Sequence, residues 1–198
     1  MCYTYIGGDY MRKAYNVKLP NGRTALNIPS MNNYIANLLG VVGLAVADLI
    51  EENAREICMH AGETPAALIV IGYDLGPSTD KLRRILGLSH SGTVRLVDRL
   101  VADGLVERRE GRDKREVALY VSEQGRAMRE ELLKGRLASI RPLLAPLTSS
   151  EKENFSALLH KILSSMETTD IERRTLCRMC DNRVCKNCPI PADIPGRK

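Results

Sequence analysis

Four cysteines close together near the C-terminal end are the residues whose types and spacing most directly indicate chemistry. They form the pattern C-x2-C-x4-C-x2-C, with Pro189 directly after the last, and are Cys177, Cys180, Cys185 and Cys188. One tetrahedral zinc ion needs four such ligands, and thiolates are the ligands that soft metals prefer. An iron–sulfur cluster also needs four thiolates, and a compact run ending in Cys-Pro is similar to bacterial ferredoxins, although their spacing is not matched. Disulfide chemistry, or no ligand at all, is the third interpretation.

The same segment is rich in cations, which bears on the state of the thiols. Arg174, Arg178, Arg183 and Lys186 flank the cysteines. Because nearby positive charge favours the thiolate, we expect the pKa values of these cysteines to be lowered. The sequence therefore predicts a structural or sensing metal site, with zinc or an iron–sulfur cluster as the candidate group.

A second candidate site is the exposed face of a helix predicted over residues 89–104. At about 100° per residue, Thr93, Val94, Val97, Leu100 and Val101 fall on one face and should point into the core. The opposite face carries small residues and two arginines, a combination that suits entry into the DNA major groove. The helix N-terminus favours a phosphate. The candidate DNA-binding residues here are Ser89, His90, Ser91, Gly92, Arg95 and Arg99.

A charged hairpin follows this helix. Residues 105–109 and 117–121 are predicted to be strands around a basic tip that contains Arg112, Lys114 and Arg115. A cation at the tip of a two-stranded hairpin can enter the narrow minor groove, where the negative potential is deepest. We expect Asp113 to pair with Arg115 and to fix the loop.

The elements that position these residues are mostly helical. A helix from Ser78 or Thr79 to Leu86, a turn at Gly87 and the helix over 89–104 form the pattern of a helix-turn-helix. A long helix over 31–60 is apolar around most of its circumference, which predicts a subunit interface as well as a core. Two further helices are predicted over 123–141 and 149–168.

These elements predict a mainly α fold with a small β-hairpin wing, in which a winged helix-turn-helix domain joins a helical dimerisation domain. The predicted division is an N-terminal arm over 1–30, a dimerisation region over 31–62 and 123–170, a winged helix-turn-helix domain over 63–122, and a cysteine-rich tail over 171–198.

Charge and composition narrow the functional classes. The net charge of +5 is concentrated in residues 77–126, with 11 Lys or Arg against 8 Asp or Glu, and in residues 171–198, with 7 against 3. Basic blocks favour an anionic partner such as nucleic acid. The sequence contains neither a secretory signal pattern nor an apolar run that we expect to span a membrane, which predicts a cytoplasmic protein. We find no nucleophile–base pair and no phosphate loop, so we do not expect an enzyme.

Several motifs together resemble the MarR family of winged-helix regulators. They are LRRILGLS at 82–89, VRLVDRL at 94–100, DGLVERR at 103–109 and GRDKR at 111–115, and residues from about 31 to 168 follow the family's order of elements. The resemblance implies a homodimer that binds double-stranded DNA at a pseudo-palindrome, and repression relieved by a small aromatic effector. The sequence departs from the family in its short wing, in Val121-Ser122 after the second strand, and in extensions at both ends.

Two other functions remain open. The cysteines could make the protein a metal- or redox-sensing transcriptional switch with no organic ligand. The same winged fold could also serve as an RNA-binding or protein-interaction module, because a fold does not determine a function.

Overall fold

The computed structural model describes residues 31–58, 62–73, 76–111, 117–166, 168–185 and 187–191. The proposed N-terminal arm lies outside these ranges. The elements in chain order are α1 (Met31–Ile57), α2 (Thr64–Tyr73), α3 (Thr79–Leu86), α4 (His90–Ala102), β1 (Val106–Glu110), β2 (Val117–Val121), α5 (Glu123–Ile140), a 3-10 turn (Arg141–Leu144), α6 (Ser149–Ser164) and α7 (Asp170–Leu176). This mainly helical chain with one antiparallel hairpin confirms the predicted fold class.

Local capping explains the helix-turn-helix. The side chain of Ser78 accepts a hydrogen bond from the backbone N–H of Lys81, so α3 begins as predicted. Gly87 ends α3 with a φ of 68°, a left-handed conformation that glycine adopts without strain. Ser89 then caps α4 by accepting from the N–H of Gly92 at 3.1 Å. The predicted pair of helices is therefore confirmed, with a turn of three residues between them.

The hairpin is fixed to the start of α3. Its strands pair in antiparallel register from Val106 opposite Val121 to Glu110 opposite Val117. The N–H of Leu119 donates to the carbonyl of Pro77 at 3.0 Å, which joins β2 to the residue before the α3 cap. The first strand begins one residue later than predicted.

Helices α2, α3 and α4 and the hairpin form one lobe. Its core is built around α2, which is buried from Thr64 to Ile71. Side chains from α3, α4, β2 and α5 pack around it, and the large ones that are fully buried include Leu82, Ile85, Val97, Leu100, Leu119, Leu132 and Leu133. Because α3 and α4 both contribute to this core, their exposed faces are held in a fixed relation to each other.

The start of α5 is pressed against the end of α4. A Cβ at Gly125 would lie 2.0 Å from the carbonyl oxygen of Leu105, so only glycine fits without movement of the backbone. Ser122, the α5 cap, also donates to the carbonyl of Gly104 at 2.6 Å. Helix α5 then runs from this lobe to α1, against which it packs.

Helices α1 and α6 leave large apolar surfaces uncovered. Ala54 is the buried residue of α1, and no residue of α6 is buried. The exposed apolar side chains are Met31, Tyr34, Ile35, Leu38, Leu39, Val41, Val42 and Leu44 of α1 and Phe155, Leu158, Leu159 and Ile162 of α6. We call these the apolar faces of α1 and α6.

Helix α1 corrects one expectation from the sequence. Its 27 residues are long and apolar enough to cross a membrane by length and composition. The expectation that no apolar run could span a membrane fails at α1, because residues 31–47 carry no charged side chain. One such helix is weak evidence for a membrane span, because a core helix of a soluble protein and a signal sequence near the N-terminus pass the same test.

Candidate DNA-binding surface and thiol cluster

The two faces of α4 differ in burial. Thr93, Leu96, Val97 and Leu100 are buried, whereas Val94 and Val101 are partly exposed. Leu96 was not among the residues predicted to face the core. On the other side, Ser89, His90, Ser91, Arg95 and Arg99 are exposed and Gly92 is partly exposed. All six candidates, the cap Ser89 and five residues of α4, are thus exposed or partly exposed, and their contact with DNA stays a prediction.

Arginines of this lobe differ in whether they are already paired. Arg83 and Arg84 both contact Asp80, at 2.9 and 3.0 Å. Within the described ranges, Arg95 and Arg99 form no ion pair. Their guanidinium groups are therefore available to an external anion without first breaking a contact inside the subunit.

An ion pair between α4 and the hairpin was not predicted. The guanidinium of Arg108 on β1 lies 2.5 Å from the carboxylate of Asp98 on α4. Asp98 is exposed and stands on the same side of the helix as Arg95. The pair joins the first wing strand to α4, but its partners are ten residues apart and nothing in the sequence marks them as neighbours.

The predicted wing-tip residues Arg112, Asp113, Lys114 and Arg115 lie outside the described residues, so the proposed Asp113–Arg115 pair stays a prediction. At the base of the hairpin, Arg109 contacts Glu107 at 2.8 Å and lies over the ring of Tyr120, 4.8 Å from its centroid. Arg108 and Arg109 are adjacent in β1, so they point to opposite faces of the hairpin, and Arg108 is the one that reaches α4.

The C-terminal segment is folded against this lobe. Helix α7 begins with a capping box in which Thr169 and Glu172 exchange side-chain and backbone hydrogen bonds. The sequence analysis missed this helix, although Thr-x-x-Glu is the pattern that marks such a start. The hydroxyl of Thr175 donates to the carbonyl of Ile85 at 2.9 Å, which connects α7 to the last turn of α3.

The four predicted cysteines converge. Cys177, Cys180, Cys185 and Cys188 are free thiols that line one cavity of about 240 Å³. Its wall also includes Val70, Tyr73, Ile85, Arg173, Arg174, Arg178 and Asn182. No group of three or more His, Cys, Asp or Glu side chains within the described ranges already stands in a metal-holding arrangement. The thiols share a cavity but would have to close further around an ion.

The predicted lowering of the thiol pKa values is wrong for three of the four cysteines. Burial, the largest cause, acts together with the neighbouring Cys188 and Cys180 to raise the pKa of Cys177 to about 12, and the opposing effect of Arg173 is smaller. Burial is also the main cause of the raised pKa values of Cys180 and Cys185. The prediction fails because removal of the thiols from water disfavours the thiolate more than the nearby cations favour it.

Arg183 is one of the four cations that were expected to lower the thiol pKa values, and it has other partners. Its guanidinium points to carboxylates, at 2.9 Å from Asp181 and 2.6 Å from Glu130 of α5. Asp181 is buried, and Arg183 holds its pKa below the usual range. This cation therefore ties the cysteine segment to α5 and does not act on the thiols.

Tyr73 at the end of α2 anchors the loop between the cysteine pairs. Its hydroxyl donates to the carbonyl of Cys180 and accepts from the N–H of Asn182 at 3.1 Å. The guanidinium of Arg129 lies over the ring, 4.5 Å from its centroid, and burial raises the pKa of the phenol. With Thr175 and Arg183, the cysteine segment is thus bonded to α2, α3 and α5.

Comparisons with known proteins agree with this architecture. A model of the MarR family matches residues 65–116. The uncharacterized HTH-type transcriptional regulator YwhA of Bacillus subtilis (strain 168) is 30% identical over 105 residues, which cover 52% of this chain and 76% of that protein.

Solved structures show the same fold. Apo wild-type MarR from E. coli is 24% identical with a TM-score of 0.55, over 65% of this chain and 96% of that chain. A cysteine-to-serine mutant of E. coli MarR complexed with operator DNA is 25% identical with a TM-score of 0.50, over 67% and 98%. YusO from Bacillus subtilis is 21% identical with a TM-score of 0.55, over 67% and 96%. Together, the helix-turn-helix, the hairpin and these similarities show that the chain belongs to the MarR family of transcriptional regulators.

Proposed function

We propose that the protein is a homodimeric repressor that binds a pseudo-palindromic operator in double-stranded DNA, with one α4 helix in the major groove of each half-site. The observation that carries the proposal is the exposed face of α4, where Arg95 and Arg99 form no ion pair among the described residues. An arginine that is free and surrounded by small residues can approach a base edge closely and pair with guanine. The proposal places the protein in the cytoplasm with its operator.

The apolar faces of α1 and α6 support the homodimer. Leu38 and Leu39 of α1 are 44% and 53% exposed, and Leu158 of α6 is 59% exposed. An isolated helix is marginal in water and depends on burial of an apolar face, and nothing in the described part of this chain covers α6. A second copy would cover the same faces in both subunits, as a two-fold interface requires.

A related structure supports DNA as the partner. The E. coli MarR mutant of similar fold was crystallised with operator DNA. Relief by a small aromatic effector rests on the family resemblance alone. Of two cavities formed by the described residues, one is lined by the thiols and arginines together with Val70, Tyr73 and Ile85, and the other by charged side chains together with Ala127 and Leu137.

The test compares two arginine variants in titrations of labelled duplexes by fluorescence anisotropy, with the upstream region of the protein's own gene as the first target. Arg95→Ala should weaken binding to the specific site by about 1–3 kcal/mol, or roughly 5- to 150-fold. Arg141→Ala is the matched control, because Arg141 is exposed and lies about 27 Å along α5 from the DNA-proximal end.

Equal affinities for the wild type and Arg95→Ala would contradict the assignment of α4 as the recognition helix. Tighter binding to single-stranded RNA than to any duplex would favour the RNA-binding alternative. Raised transcription from the target promoter in a deletion strain is the expected sign for a repressor.

A further inference from the structure

We propose that Cys177, Cys180, Cys185 and Cys188 together bind one zinc ion through four thiolates, and that occupancy of this site controls the affinity of α4 for DNA. The metal site stands independently, whereas the control of DNA affinity rests on the proposed function.

The first argument is the convergence of sequence spacing and structure. Each C-x2-C pair can supply two ligands to the same ion. The four-residue spacer is long enough for a turn that brings the second pair toward the first. The structure places all four cysteines on the wall of one cavity of about 240 Å³. At about 2.3 Å from each sulfur, a tetrahedral zinc ion draws the sulfurs to within roughly 4 Å of one another. The C-x2-C-x4-C-x2-C spacing also departs from that of bacterial ferredoxins, which favours one ion over an iron–sulfur cluster.

The second argument is the set of unsatisfied donors around the thiols. The Nε–H groups of Arg136 and Arg173 are buried and have no hydrogen-bond partner in the described part of the chain. Arg173 lies on the cavity wall beside Cys177, and Arg136 acts on Cys180. A neutral thiol is a poor acceptor, whereas a metal-bound thiolate accepts N–H groups readily.

A zinc ion with four thiolates carries a net charge of −2. On this wall Arg173 and Arg174 share the carboxylate of Asp170. Arg178 donates to the carbonyl of Thr175, so the three arginines and the one carboxylate together carry +2.

The third argument links the site to DNA. The cysteine segment follows α7, and the hydroxyl of Thr175 on α7 lies within hydrogen-bond distance of two carbonyls, that of Ile85 at 2.9 Å and that of Ile171 in its own helix at 3.0 Å. The Ile85 carbonyl belongs to the last turn of α3, where helix carbonyls lack partners within the helix. Gly87 and Ser89 then lead directly into α4. Closure of the four thiols on an ion would hold α7 against α3, and α3 sets the position of α4.

The metal site is tested on the full chain purified without oxygen. Zinc, iron and acid-labile sulfide are measured per chain, and Co²⁺ is then exchanged into the site. We expect one zinc per chain and, with Co²⁺, the visible and near-ultraviolet bands of tetrahedral thiolate coordination. Cys180→Ser and Cys188→Ser should lose these bands. Cys58→Ala should keep them, because Cys58 is buried beside Met128 with a sulfur–sulfur distance of 3.6 Å and does not line the cavity.

Two results would overturn the site. One is a chain that binds no Zn²⁺ or Co²⁺ although circular dichroism shows it folded. The other is iron with sulfide in place of zinc, which would assign the cysteines to an iron–sulfur cluster.

The control of DNA affinity is tested by titrating the operator with zinc-loaded and chelated protein. We expect chelation to weaken binding by about 5- to 150-fold, the usual range for coupling between two sites. Thr175→Val removes the hydroxyl that reaches Ile85 and leaves the thiols intact. It should keep the Co²⁺ spectrum and reduce the effect of chelation.

Equal operator affinity with and without zinc would overturn the regulatory half of the proposal. Such a result, with Arg95→Ala still impaired, would leave the DNA-binding function standing. A zinc-loaded protein that binds no duplex at all would instead refute the proposed function and leave the metal site standing.

Discussion

Removal of one side chain from the apolar face of α6 tests whether a second copy covers it. Leu158 is 59% exposed in the single chain, more than Phe155, Leu159 or Ile162 on the same helix. If α6 packs in a two-fold interface, Leu158→Ala removes one leucine from each of the two subunits. The predicted result is a weaker dimer whose individual subunits remain folded.

The magnitude follows from the exposed fraction. Burial of a whole leucine side chain stabilises by about 1.5–3 kcal/mol. The 59% of Leu158 that one chain leaves exposed therefore accounts for about 1–2 kcal/mol, as an upper limit because alanine keeps its Cβ. Two copies give about 2–4 kcal/mol, which raises the Kd of the dimer roughly 30- to 700-fold.

Sedimentation velocity over a range of protein concentrations measures this Kd directly. The matched control is Val184→Ala, because Val184 is 67% exposed in the cysteine segment and lies on neither apolar face. Operator binding by Leu158→Ala should recover at protein concentrations above the new Kd, since mass action restores the dimer. Dissociation of Leu158→Ala and Val184→Ala at the same concentration as the wild type would refute the reasoning.

Two further substitutions test the DNA-binding lobe. Asp98→Asn removes the carboxylate that holds Arg108 at 2.5 Å, so Arg108 becomes available to phosphate. We expect tighter binding to duplexes of any sequence and a salt dependence steeper by about one charge, measured as log Kd against log salt concentration; an unchanged slope would mean that Arg108 does not reach DNA. Gly125→Ala places a Cβ 2.0 Å from the Leu105 carbonyl, where backbone must move. We expect a loss of about 1–3 kcal/mol in urea unfolding, and an unchanged midpoint would contradict this close approach.

The parts of the fold that follow from adjacent residues could be predicted from the sequence. Ser78, Gly87 and Ser89 each act on the backbone within three or four residues, so their types are enough to place the ends of α3 and the start of α4. The helical spacing of apolar and polar side chains separated the two faces of α4 for the same reason. The spacing of the cysteines likewise indicated that their thiols meet.

Contacts between distant residues could not be predicted in this way. The Asp98–Arg108 pair depends on how the hairpin folds back over α4, and the Thr175–Ile85 bond joins residues 90 positions apart. The pKa values of the thiols depend on burial, which sequence spacing does not reveal. Helix α7 is a different case, because its Thr-x-x-Glu start is a local signal. It could have been predicted, but this segment was interpreted from its cysteines alone.

Helix α3 lies between the two candidate sites, because its last turn contacts α7 before the cysteines and its core face packs with α4. One side of α3 contributes Leu82 and Ile85 to the core that α4 shares, so α3 cannot shift without displacing α4. The carbonyls of its last turn have no partner within the helix and can accept from a neighbouring segment. Thr175, just before the cysteines, provides such a hydroxyl to the carbonyl of Ile85. In a close-packed lobe even a weak hydrogen bond between Thr175 and Ile85 can bias the position of α3 and, with it, that of α4. A change of about 1 kcal/mol at Ile85 is comparable to the discrimination that one arginine–base contact carries in general, so a signal arising at the thiols would be large enough to change operator occupancy several-fold.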